Sequence, residues 1–172
     1  MKKAAVFFLA ILLIICSLTS CGGQKRPISC REILSSVTDA EIGLPAGKFY
    51  SLKALEGEDE YLPPSLIGSL LGNGSYPEVA ESWLDCALYL SLGAHPCEFA
   101  VILCQSRDDA EDTAKLFCAR LASIKLVKSK SEHADLLDDA KITITGNYVL
   151  FIISSDSDTA LSVAKKVIRA TD

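Results

Sequence analysis

The side chains able to act as nucleophiles, metal ligands or covalent attachment points are few: seven cysteines and two histidines in 172 residues. His95 and Cys97 flank Pro96 and are followed by Glu98. Imidazole beside a thiol is the pairing of a Cys–His nucleophile, or half of a metal site. A thiol enzyme also needs an orienting group and an oxyanion site, and the sequence offers neither, so an exposed turn is the plainer reading of His95. His133 lies in a polar stretch and reads as solvated. No C-x-x-C occurs, which removes a thioredoxin-type site and a zinc ribbon. Beyond Cys16 and Cys21, five cysteines remain: Cys30, Cys86, Cys97, Cys104 and Cys118. Cys86, Cys104 and Cys118 read as small buried hydrophobes. The rival is one cross-strand disulfide. If Leu92 faces Glu98, Cys86 faces Cys104; one step of register instead sets Cys86 against Leu103 and turns the thiols to opposite faces.

The other polar clusters have simpler explanations than catalysis. Asp108, Asp109, Glu111 and Asp112 crowd the start of a predicted helix whose last turns hold Arg120, Lys125 and Lys128, which complements the helix dipole. Asp156-Ser157-Asp158 resembles the opening of a calcium loop without its later ligands, and helix capping accounts for it. Asp138-Asp139 reads as a solvated acidic pair. Gly72-Asn73-Gly74 is preceded by no strand and followed by no Lys-Ser/Thr, so it is a helix end and not a phosphate loop. Trp83 and Tyr89 fall on the same side of an alternating segment, opposite its leucines. Left uncovered, they form an aromatic face suited to a glycan, peptide or protein partner; the amino-terminal helices are the alternative cover.

These residues are carried by a regular series of elements. Ile28, Ile33, Leu34, Val37 and Ile42 mark one side of a helix over 29–42, ended by Gly43 and Pro45. Residues 43–61 show no clean period. Pro63-Pro64 introduce a short helix over 65–71. Strict alternation over 83–92 predicts a strand, the turn 93–96 follows, and 98–105 is a continuously apolar strand, so the two form a hairpin. A helix over 108–128 presents Ala110, Ala114, Phe117, Leu121 and Ile124 to a core. After a polar stretch with a helical turn, strands 141–145 and 148–153 flank a tight Gly146-Asn147 turn. A last helix carries Ala160, Ala164 and Val167 or Ile168 inward. Asp108, Ala110, Ala114 and Lys115 recur 50 positions later as Asp158, Ala160, Ala164 and Lys165. Two hairpin–helix units predict an α+β fold: a two-layer sandwich of a four-stranded antiparallel sheet with both long helices on one face. The extra amino-terminal helices then pack at an edge or over the open face.

The amino terminus is of another kind. Lys2 and Lys3 precede 13 unbroken apolar residues, Ala4–Cys16, and then small and polar ones. As a helix that run rises roughly 20 Å, short of the ~30 Å hydrocarbon core, and the layout is that of a secretory signal. Leu18-Thr19-Ser20-Cys21 resembles the lipobox of bacterial lipoproteins at all four positions. The resemblance implies cleavage between Ser20 and Cys21 and diacylglycerol on the Cys21 sulfur, with two or more acyl chains giving stable anchoring on the extracytoplasmic face of the cell membrane. The expected division is residues 1–20 as signal peptide, 21–27 as lipidated cysteine and tether, and 28–172 as a single domain. Loss of Lys2 and Lys3 leaves 15 basic and 22 acidic residues, net −7. That charge is unsuited to nucleic acid and supplies no polybasic patch for lipid headgroups.

Glu98-Phe99-Ala100-Val101, Arg120-Leu121 and Gly146-Asn147-Tyr148-Val149-Leu150-Phe151 are similar to a family of small Gram-positive lipoproteins with an uncharacterised domain. The resemblance spans about residues 80–170 and implies no activity. No cofactor is expected. The expectation is a non-catalytic, membrane-anchored module that binds a partner or contributes to the envelope. The alternatives are a small-ligand-binding lipoprotein and, behind it, an envelope thiol enzyme using Cys97 and His95.

Overall fold

Backbone amide and carbonyl groups of residues 47–51, 83–91, 98–104, 141–145 and 148–153 pair with one another along a sheet whose two edge strands, among the described residues, leave one side outside the strand pairing. They form strands β1 (Gly47–Ser51), β2 (Trp83–Ser91), β3 (Glu98–Cys104), β4 (Lys141–Thr145) and β5 (Tyr148–Ile153). Every pairing is antiparallel and the order is β1-β2-β3-β5-β4. The computed structural model describes residues 27–41, 43–128 and 133–170. Ser20, Cys21, the signal and most of the tether lie outside the described residues.

Helices α1 (Cys30–Ala40), α2 (Pro64–Leu71), α3 (Arg107–Lys128), α4 (Ala134–Asp138) and α5 (Ser157–Arg169) complete the fold. Their ends follow from local chemistry. The Ser29 hydroxyl accepts the Glu32 amide at 3.1 Å, and the Asp156 carboxylate accepts the Thr159 amide at 3.0 Å. Ser106 accepts the Asp109 amide at 3.1 Å and donates to its carboxylate at 2.6 Å. Capping thus takes up Asp109 at the start of α3 and Asp156 at the start of α5, while Glu111, Asp112 and Asp158 pair with Arg107, Lys115 and Lys141. Gly72 caps α2 with its amide on the Gly68 carbonyl, the helix end expected there.

The α+β class with an antiparallel sheet stands, but the layer count differs from expectation. Cys30, Ile33, Leu34 and Val37 of α1 and Ala160, Ala164 and Ile168 of α5 bury one face of the sheet, against Tyr89, Phe99, Val101, Leu150 and Ile152. Ile67 of α2, Ala110 and Phe117 of α3, and Leu137 of α4 bury the other, against Trp83, Cys86, Leu88, Ile102, Phe151 and Ile153. The molecule is therefore a three-layer sandwich around five strands, not a two-layer one around four. The fifth strand, β1, comes from the stretch without a period. The long helices part because of register. Each packs on the even-numbered side of the strand before it: Ala100 and Ile102 face α3, and Leu150 and Ile152 face α5. Pairing sets Ala100 against Phe151 and Val101 against Leu150, so even positions of β3 share a face with odd positions of β5. With a period of two, that odd offset sends the helices to opposite sides.

A second correction concerns Trp83 and Tyr89. Trp83 opposes Cys104 while Asp85 opposes Leu103, so Leu84 is the extra residue of a β-bulge. The bulge rotates Trp83 onto the α3 face and leaves Tyr89 on the α1 face. Both rings are buried. They neither share a face nor form an exposed patch. Instead, Trp83 donates its indole N–H to the Thr113 hydroxyl at 2.9 Å, and Tyr89 donates its hydroxyl to the Pro45 carbonyl.

Candidate functional site

The described chain begins at one pole of the sandwich. Tyr148 donates its hydroxyl to the Ile28 carbonyl at 2.7 Å, and the Cys30 amide, first in α1, donates to Asp85 at 2.9 Å. Asp85 is a buried carboxylate with three donors. Besides Cys30, it accepts the Cys86 amide at 2.9 Å and the Lys53 ammonium at 2.8 Å. Arg31 lies beside it, clamped by both carboxylate oxygens of Glu60 at 2.7 and 2.8 Å and lying over the Phe49 ring. The Arg31 guanidinium holds the Glu60 carboxyl below its ordinary value. A depression of about 420 Å³ opens among these groups, and its two cations are both engaged, Arg31 by Glu60 and Lys53 by Asp85, so it reads as the lock that fixes α1 to the sheet. Sequence reading passed over Asp85. Its signal was present: one carboxylate inside the apolar run WLDCALYL needs partners if that run is buried.

From Asp85 to Ser91 of β2 the chain runs about 20 Å, at roughly 3.3 Å per residue, from this pole to the other. There the turn between β2 and β3, the last turns of α3 and the first residue of β3 enclose a cavity of about 240 Å³. Its lining includes Leu90, His95, Cys97, Glu98, Arg120 and Ile124. Glu98 enters β3 as a buried carboxylate, and both its oxygens accept from Arg120, Nε at 2.6 Å and Nη2 at 2.6 Å. Arg120 Nη1 reaches the Leu70 carbonyl at 3.3 Å, which ties α2 to the pair. Burial raises the Glu98 carboxyl above its ordinary value, against the lowering pull of Arg120. The two residues lie 22 positions apart and nothing in their spacing announces the contact.

His95 and Cys97 do meet, but not as base and nucleophile. The Cys97 backbone amide donates to His95 Nδ1 at 3.1 Å, which occupies the lone pair a general base would use. The ring lies 4.3 Å, centroid to centroid, from that of His133. Burial pushes the Cys97 thiol up to about 12, far from a thiolate at neutral pH. Among the described residues, no three His, Cys, Asp or Glu side chains gather as a metal requires.

The remaining cysteines follow the core reading in part. Cys86 and Cys104 are free, buried thiols on one face; burial raises both, and Asp85 raises Cys86 further. The register sets Cys86 against Ile102 and Cys104 against Trp83, so the direct opposition a cross-strand bridge needs is absent. Cys104 sulfur instead lies 3.5 Å from the Thr113 hydroxyl. Cys118, expected inside, is exposed on α3. Asp138 pairs with Lys125 at 2.9 Å as a surface carboxylate. Among the described residues, no helix is long and apolar enough to cross a membrane.

Fold and site together define an α+β sandwich whose chain enters at one pole and whose charged cavity lies at the other. No protein-family model matches the chain, and no curated protein or solved structure matches it.

Proposed function

We propose that this chain is a lipid-anchored, extracytoplasmic binding module that performs no catalysis and meets a protein partner through the pole formed by the β2–β3 turn and the end of α3. The observation that carries this reading is the separation of the two poles. Ile28 and Cys30 are held where Asp85 and Tyr148 lie, so a tether attached through Cys21 leaves the turn pole unobstructed. That pole carries three apolar side chains in solvent, Leu92 at 64% and Leu126 and Val127 in the last turns of α3 at 83% and 81% exposed, against Leu55 and Leu84 toward the entry pole. Such residues near a charged, partly enclosed cavity suit contact with another macromolecule.

The small-ligand reading rests on the same cavity, with the Glu98–Arg120 pair in its wall. Its volume decides against first place. About 240 Å³ falls below the roughly 300–1,000 Å³ typical of small-molecule sites. The partner reading is tested in membranes of producing cells. Cys21→Ala abolishes lipid attachment and releases the chain from, or leaves it uncleaved in, the membrane fraction. A photoactivatable residue at Leu92 yields a defined protein adduct, while one at Arg107, near the opposite pole, does not. Adducts only from position 107, or cleaved and membrane-bound protein after Cys21→Ala, overturn the reading.

A further inference from the structure

The sheet has two edges and they are finished differently. Along β1, the Ser51 amide donates to the Glu60 carbonyl at 2.7 Å and Ser51 bridges to Tyr61, so a neighbouring segment covers that edge in part. Among the described residues, β4 pairs with β5 alone. Gly146 and Asn147 form a two-residue turn, which makes Thr145–Tyr148 a hydrogen-bonded pair and, by alternation, Thr143–Leu150 and Lys141–Ile152 as well. The other side of β5 agrees. The Cys104 amide donates to the Asn147 carbonyl, so odd positions of β5 turn to β3 and even positions to β4. The N–H and C=O groups of Ile142 and Ile144 therefore point out of the sheet. They meet no hydrogen-bond partner among the described residues.

Natural edges are guarded by charge, proline or a cover. The one charged residue of β4, Lys141, is not free to guard it: its ammonium is held by Asp158 at 3.0 Å. Ile142 and Ile144 are half-buried on the α3 side, and Thr143 and Thr145 lie on the α5 side.

We infer that β4 is a self-association edge, and that its occupant is β4 of a second copy, antiparallel, with the twofold axis through Thr143. The strand Lys141-Ile142-Thr143-Ile144-Thr145 is self-complementary in that register. Lys141 meets Thr145, Ile142 meets Ile144, and Thr143 meets Thr143, with no like charges opposed and β-branched residues from Ile142 to Thr145. The four outward groups of each copy are all used, in four hydrogen bonds that join two sheets of five strands into one of ten. Beyond the strand, the partner's Gly146 comes opposite Ala140. This brings Arg107, which donates to the Gly146 carbonyl at 3.2 Å, toward the exposed acids Asp138 and Asp139 of the first copy. Antiparallel pairing inverts the second copy. A pair held in one membrane then lies with its strands along the surface and a turn pole open at each end.

The experiment uses the full-length chain in detergent, with Cys118→Ser removing the exposed thiol. Thr143→Cys places two cysteines across the axis in a non-hydrogen-bonded pair about 4.5 Å apart at Cα, within disulfide reach. Mild oxidation converts this variant to a covalent dimer. Thr145→Cys stays at the level of the parent, because its symmetry mates lie about 13 Å apart along the strand. Thr143→Lys opposes two like charges on the axis and lowers the sedimenting mass from dimer to monomer, with an unchanged far-UV circular dichroism spectrum. A monomeric parent with no Thr143→Cys dimer overturns the inference. So do equal crosslinking from 143 and 145, and a Thr143→Cys adduct in producing cells that contains a different protein.

Discussion

Glu98 and Arg120 show how a single contact joins three elements. The carboxylate begins β3, the guanidinium comes from α3, and its remaining reach goes to the last turn of α2. Both side chains are largely buried, so their value lies in being paired: a lone buried charge costs far more than a missing pair. Glu98→Leu leaves Arg120 without its counter-ion and lowers unfolding free energy by about 3 kcal/mol, whereas the double change Glu98→Leu with Arg120→Met recovers most of it. Urea denaturation of the three proteins measures both. The pair also has a pH signature. Because burial raises the Glu98 carboxyl above its ordinary value of 4.5, the fold holds more protons than the unfolded chain just above that pH. Its contribution is complete below pH 4.5 and is lost as pH rises through the raised folded value. Stability profiles of wild type and Glu98→Gln diverge over that window, with the downward slope absent from the variant.

Among the elements, β2 carries the most information. Its first residues have two obligations. Trp83 must reach Thr113 on one face, and Asp85 must reach the start of α1 on the other. Strict alternation puts positions 83 and 85 on the same face, and the extra residue Leu84, half-exposed, separates them. Deleting Leu84 restores alternation and turns Trp83 away from α3. The chain has one tryptophan, so its emission reports the change directly: a red shift, with loss of about 3 kcal/mol on the scale of removing a buried aromatic from a core. A bulge leaves no mark in hydrophobic periodicity, and this explains why the aromatic pair looked like one surface. The strand β1 escaped for a related reason. Gly47, Lys48, Phe49, Tyr50 and Ser51 do not alternate in polarity, and what makes them a strand is distant. A Cβ at Gly47 would come within 2.3 Å of the Tyr89 ring, so glycine lets this edge close on β2.

At the scale of the molecule, the decisive quantity is one step of register between β3 and β5. The hairpin–helix units were legible because each answers local physics: alternating strands, a two-residue turn, a capped helix with a core-facing stripe. How the units join was not, because an antiparallel pair with an odd offset and one with an even offset bury equally apolar strands. The odd offset sends α3 and α5 to opposite sides and calls α1 into the core beside α5. Helix α1 is thus a full partner in one layer and not an edge ornament. Leu34, wholly buried against the sheet and α5, tests this. Leu34→Ala lowers stability by about 3 kcal/mol in chemical denaturation, the cost of a core cavity; a helix merely resting on an edge would lose less than about 1 kcal/mol.

Apart from β1, the sequence alone determined where the main elements lie, since caps, turns and periodicity act within a few residues. It also carries the likeness of Leu18–Cys21 to a processing and anchoring signal, on which the proposed function rests. Tertiary structure alone decided which side chains meet. The burial of Trp83 and Tyr89, the engagement of His95 by a backbone amide, the free thiols of Cys86 and Cys104, the Glu98–Arg120 clamp and the open edge of β4 all depend on register and layer order. Those are set by contacts between residues far apart in the chain, where sequence patterns of apolar and polar residues give several pairings the same energy and only the packed whole separates them.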